Sequence, residues 1–208
     1  MFQSTFYMDK IEQLEALQDI RKMMNRSVRF LSLSGLSGLF TGCYALIAGF
    51  IVYRYNNGIL LIDNYTNEDI HFFITLGTIT LILAISTSFL FTKKKARKEG
   101  TKLWDESAKN AFINLCIPLL VGGILCLTYI SQGLNGLLAP TTLIFYGLAL
   151  VNASKFTFPM VRQLGIMEIG LGLVNTLFIG FGLIFWLIGF GLLHIIYGTY
   201  MYFKYDRT

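Results

Sequence analysis

The chain is short of charge. Asp, Glu, Lys and Arg make up 14% of its 208 residues, against 54% hydrophobic and 15% aromatic, where an ordinary soluble domain carries about a quarter charged residues. This balance excludes an ordinary water-soluble enzyme. Two histidines and three cysteines, with no C-x-x-C pair, leave no recognisable zinc site and predict no bound metal. Cys43, Cys116 and Cys126 all fall in apolar runs. The last two are ten residues apart on one run, too far to bridge along a helix that rises ~1.5 Å per residue, so they read as small apolar fillers. His71 and His194 lie at opposite depths of their runs and cannot be axial partners of one haem. No cofactor is expected.

What is present is apolar length. Six runs reach the roughly 20 residues that span a hydrocarbon core: 30–53, 70–91, 111–130, 136–153, 161–179 and 181–203. Backbone polar groups in lipid must be satisfied within each segment, so these runs are helices. The predicted fold is an all-α membrane protein. Residues 30–208 form a six-transmembrane-helix bundle, preceded by a short amphipathic helix over residues 1–29. The connections are short, apart from 54–69 and 92–110, so no soluble catalytic domain is left over. The first run is too long for a signal-peptide core and is expected to stay as an anchor.

Sixteen of the 17 basic residues fall on one side of this topology: in the N-terminal arm, the second and fourth connections, and the tail. Basic residues flanking spans stay in the cytoplasm. This places both termini in the cytoplasm and the protein in the plasma (inner) membrane as a multi-pass chain. The remaining one, Arg54, shares its connection with Asp63, Glu68 and Asp69. The same basic residues suit anionic headgroups at the cytoplasmic face, which accounts for the net charge of +5 without a nucleic-acid partner. In the arm, Ile11, Leu14, Leu17, Ile20 and Met24 recur at intervals of three and four, giving an apolar stripe that lies along the headgroups or packs under the bundle. A cytoplasmic protein docking on residues 9–29 is the sharper alternative. The Asn-x-Ser/Thr strings at Asn64 and Asn152 are chance occurrences.

Small residues mark the packing faces. Ser34, Gly38, Gly42, Ala45 and Gly49 line one side of the first span, which lets another helix approach closely. The partner is expected within the chain, with a homodimer as the alternative.

Two ionisable residues sit where polarity is costly. Glu168 is the one acid well inside a predicted span, seven residues past Val161, and His194 lies nine residues before Phe203. A rise of ~1.5 Å per residue puts both some ~10 to 13 Å deep from the same side. Gly165, Glu168, Gly172 and Asn175 share a helix face, as do Gly191, His194 and Gly198. Adjacent antiparallel spans with glycine-cleared faces bring the two side chains together, and intramembrane ionisable residues normally face the interior and pair. As a polar intramembrane site, Glu168 and His194, with Asn152, Asn175, Tyr146 and Tyr197 as lining, suit sensing, regulation or proton-linked or small-solute passage, since histidine titrates near neutral pH. Against a carrier, no inverted repeat and no interrupted helix is visible. The bland alternative is a hydrogen bond that merely locks two spans. An enzymatic alternative uses "GLSG": Ser37 at similar depth with His194 and Glu168 would make a serine hydrolase triad. That string has the G-x-S-G look of the rhomboid proteases, although the serine lies on the first span rather than the fourth.

The blocks "RFLSLSGLSG", "YGLALVNASKFT", "LGIMEIGLGL" and "FWLIGFGLLHIIYG" resemble a group of small six-span bacterial membrane proteins of uncharacterised function. The resemblance implies the fold and brings no activity with it.

Overall fold

The computed structural model describes residues 34–61, 66–100 and 103–207. The arm with its expected amphipathic helix, and the start of the first span, lie outside the described residues. Everything long within them is helical: α1 (Gly35–Tyr55), α2 (Asn67–Glu99), α3 (Glu106–Ser131), α4 (Leu138–Ala153) and α5 (Pro159–Leu177). The last stretch runs as α6 (Gly182–Trp186), a π-helical segment (Leu187–Leu193), α7 (His194–Met201) and a π turn (Tyr202–Asp206). Among the described residues, five helical stretches are long and apolar enough to cross a membrane. α5 is not one of them, because its 19 residues include Arg162, Gln163, Glu168 and Asn175.

The connection expected over 92–110 is mostly helix. Lys, Arg, Glu and Ala are strong helix formers whether or not lipid surrounds them, so α2 continues through the basic run to Glu99 and stops only where Gly100 turns left-handed at φ 66°, as helix ends do. Asp105 then starts α3 by accepting the Ala108 N–H at 2.7 Å. At its other end α2 opens on a capping box: Thr66 and Asp69 exchange side-chain-to-backbone hydrogen bonds, satisfying two otherwise orphaned donors.

The helices pack as two groups of three. α3, α4 and α5 follow one another as antiparallel neighbours, while α1 packs on α2 and on the last stretch from its π-helical segment through α7; α6, at the start of that stretch, packs on α4. Glycines set both of the closest pairings. A Cβ on Gly147 would lie 2.6 Å from the Gly165 carbonyl oxygen, and one on Gly165 would lie 2.7 Å from that of Gly147, so α4 and α5 touch backbone to backbone. On the other side, Gly35 and Gly38 meet Gly198 and its neighbours, Gly42 meets the Gly191 carbonyl, and Gly49 meets Leu187. The small-residue face of the first span thus finds its partner in the last stretch of the same chain, with Ala45 buried in it.

This corrects the reason given for bringing Glu168 to His194. Gly165 and Gly172 are turned towards Gly147 and Ile144 of α4, and Gly191 and Gly198 towards Leu46 and Leu39 of α1. They clear space for other helices. Gly189 opens the way between the two groups at Glu168, since a Cβ there would lie 2.5 Å from Glu168 Oε2.

At the end that holds the basic residues, Asp206 ties the last turn to both neighbours. It accepts from the Gly35 N–H (2.7 Å), the Ser34 hydroxyl (2.9 Å) and the Lys95 ammonium (2.7 Å). A carboxylate at a helix N-terminus satisfies orphaned amides and complements the dipole. Ser34, expected as a packing residue, serves here as a hydrogen-bond donor.

Candidate functional site

Glu168 is the tenth residue of the 19 in α5, roughly 13 Å from its start at ~1.5 Å per residue, and its side chain is 0% exposed. It projects towards the last stretch at the level of the π-helical segment. There His194, 3% exposed, presents Nδ1 at 3.5 Å from Glu168 Oε1. Neither carboxyl oxygen has a hydrogen-bond partner among the described residues.

The histidine is held from both sides. Nδ1 lies 3.0 Å from the Gly189 carbonyl oxygen and Nε2 lies 2.8 Å from the Tyr146 hydroxyl. A carbonyl can only accept, so Nδ1 carries the proton, and Nε2 of a neutral ring must then accept from Tyr146. A carbonyl five residues before the histidine is offered to its side chain because the backbone there has left the regular α-helical ladder. Such π-helical deviations occur frequently at functional sites. The last stretch stays helical from Ile179 to Asp206 but leaves the α-helical hydrogen-bond pattern at this point.

Aromatic rings complete the wall. Trp186, Phe190 and His194 follow at intervals of four, with ring centroids 5.2 Å and 6.0 Å apart, and Tyr146 lies 5.0 Å from Phe190. This shelf fixes the imidazole plane. The W-x-x-x-F-x-x-x-H spacing is visible in the sequence and was the available signal for Trp186 and Phe190. Gly189 left no such signal, because nothing local distinguishes it from the other glycines of the stretch.

The remaining expected residues divide. Asn175 is buried two turns from Glu168 on α5; its Nδ2 donates to the Phe178 carbonyl at 3.0 Å, while Oδ1 has no partner among the described residues. Tyr197 is one turn past His194 and packs on Gly38. It also lines an apolar groove of about 100 Å³ with Met160, Leu164 and Leu193. Asn152 is half-buried near the end of α4 and makes no hydrogen bond with the pair. Ser37 donates to the Ser34 carbonyl at 2.5 Å. With both nitrogens of His194 engaged by Tyr146 and Gly189, the structure does not bring Ser37, His194 and Glu168 together as a hydrogen-bonded triad. Among the described residues no group of three or more His, Cys, Asp or Glu is placed to hold a metal ion.

The fold and site define an all-helical bundle with apolar helices of membrane-crossing length and a buried Glu, His and Tyr cluster where its two halves meet. No protein-family model, curated protein or solved structure matches the chain.

Proposed function

We propose that this is a six-span protein of the inner membrane, with both termini in the cytoplasm, in which Glu168, His194 and Tyr146 form a proton-binding site serving proton-linked passage or sensing. The observation that carries the reading is the fully buried Glu168 carboxyl, without a hydrogen-bond partner among the described residues and 3.5 Å from His194 Nδ1. An isolated charge at such a depth is costly on any scale. The pair avoids one in two ways: a carboxylic acid beside a neutral ring, or a carboxylate beside an imidazolium. The two differ in the position of one proton.

The geometry suggests how it moves. Tyr146 and Glu168 address opposite nitrogens of the same ring. A proton that reaches Nε2 requires Tyr146 to turn its O–H away and accept. The ring then holds two protons, and the one on Nδ1 can pass to a Glu168 carboxylate once that oxygen closes from 3.5 Å to an ordinary hydrogen-bond distance of about 3.0 Å. Charge crosses the ring with no net change in it, except the exchange of one tautomer for the other.

Infrared difference spectra of the purified protein in lipid nanodiscs test this. Between about pH 5 and 8, the range in which a histidine-linked switch works, a carboxylic C=O band should change and be missing in Glu168→Gln. A spectrum identical in the two proteins throughout that range would remove the proton-binding reading.

Topology is tested separately. Because the basic residues cluster on one side of the chain, reporter fusions after Arg97 and at the C-terminus should read cytoplasmic, and a fusion within 56–61 should read external. An external C-terminus would refute the six-span arrangement.

A further inference from the structure

Four buried side-chain atoms among the described residues lack a hydrogen-bond partner: Glu168 Oε1 and Oε2, Asn175 Oδ1 and Asn135 Oδ1. All four are acceptors, and none is on the basic-end side of the His194 cluster. Glu168 occupies the centre of α5. Asn175, 0% exposed, lies two turns further along the same helix, about 10 Å at ~1.5 Å per residue. Its amide already donates to Phe178. Asn135 opens the turn before α4, next to Gly136, which packs on Ile179. Both asparagines therefore converge on the 178–181 turn at the end away from the basic residues.

Buried acceptors left without donors each cost about 1 to 3 kcal/mol, and here they lie from Glu168 towards the end away from the basic residues. On the basic-end side of the cluster Leu164 and Tyr197, together with Leu193 beside His194, line the apolar groove. From these observations we propose that Glu168 exchanges protons with the far face of the protein through a file of hydrogen-bond donors, water or hydronium, that passes Asn135 and Asn175, while the leucines close the site from the basic end. The proposal rests on the proton-binding reading above and adds a direction to it. A ligand able to donate is required because Asn175 Oδ1 and both carboxyl oxygens can only accept from it while Glu168 is ionised. Roughly 10 Å between Glu168 and Asn175 is too far for one ion to bridge, whereas a few waters in line span it.

The test uses the full chain in sealed, right-side-out vesicles with Cys43, Cys116 and Cys126 replaced by Ala. A membrane-impermeant thiol reagent added outside should label Asn175→Cys and Asn135→Cys, and leave Leu164→Cys unlabelled. Labelling of Leu164→Cys in preference to Asn175→Cys, or no labelling of Asn175→Cys in protein shown to be folded by its unfolding transition, overturns the proposal. Should Asn175→Cys fail to fold, Asn175→Asp, which keeps the shape, and Asn175→Thr provide the second measurement. On transfer to D2O the Glu168 carboxyl should exchange roughly tenfold slower in Asn175→Thr, the factor a hydrogen bond to a buried group is worth, and unslowed in Asn175→Asp. Equal exchange in Asn175→Thr and the parent overturns it. If the carboxyl band never titrates, the proton-binding reading fails, and external labelling still decides whether the file exists.

Discussion

Gly147→Ala is expected to cost the bundle about 3 kcal/mol, the upper part of the range for overpacking a tight core. The added methyl would meet the Ile169 side chain at 2.7 Å and, less able to give way, the Gly165 carbonyl and the backbone nitrogen of Ile169, at 2.6 and 2.8 Å. The two helices have to separate along their length to admit it. Gly198→Ala should be at least as damaging, since its Cβ would lie 2.2 Å from the Leu39 nitrogen and 2.7 Å from the Gly38 carbonyl carbon. Gly123→Ala and Gly170→Ala are the controls: among the described residues nothing beyond their own helix lies within 4 Å of a Cβ at either position, so neither should be destabilised, and alanine's better helix propensity should add up to about 1 kcal/mol. Equilibrium unfolding in mixed micelles measures all four. The Gly147→Ala, Gly165→Ala double variant should cost less than the sum, because a gap opened for one methyl serves the other. Parent-like stability in Gly147→Ala would mean that α4 and α5 are not in backbone contact.

The second large effect belongs to the polar cluster. His194→Ala removes the acceptor of the Tyr146 hydroxyl and the donor to the Gly189 carbonyl together, and unsatisfied buried groups cost about 1 to 3 kcal/mol each. Glu168→Gln keeps the shape and removes the ionisable oxygen beside Nδ1, so it should fall in the lower part of that range, about 1 kcal/mol. The double variant should cost less than the two singles added, since contacting residues couple by about 0.5 kcal/mol or more. Tyr146→Phe, which deletes only the Nε2 partner, should lie below His194→Ala. Additivity within about 0.3 kcal/mol would show that the carboxyl and the ring do not sense one another across their 3.5 Å.

Both sets of substitutions act where the chain departs from an ordinary helical bundle. The glycine pairs join helices within each half, α4 with α5 and α1 with the last stretch, whereas Glu168, Tyr146 and His194 lie across the boundary between halves. A change at Gly147 should thus loosen one half, and a change at His194 should loosen the joint. Thermal unfolding followed by reporters in each half would separate these two outcomes.

Several features could be read before any coordinates. Apolar runs of about 20 residues reveal helices because each helix satisfies its own backbone; among the described residues the six runs fall on helical stretches, although boundaries shift where Lys93 to Glu99 continues α2. Glu168 and His194 stood out because ionisable groups in apolar runs need a reason. The small residues from Gly38 to Gly49 announced a close partner without saying which.

Which helix meets which was settled only in three dimensions. A glycine in a sequence says that something may come close, not what: the same spacing sends Gly165 to α4, Gly198 to α1 and leaves Gly170 open, because the rotation of each helix about its axis depends on all its neighbours at once. The π-helical offset at Leu187–Leu193 is likewise a compromise between packing on α1 and making room at Gly189, with no local residue pattern to announce it. With that offset the Gly189 carbonyl accepts the hydrogen bond from Nδ1–H, and Tyr146 reaches Nε2 from 48 residues away. Helix positions follow from the hydrophobicity of short segments, whereas the site follows from long-range packing between segments that share no sequence neighbourhood.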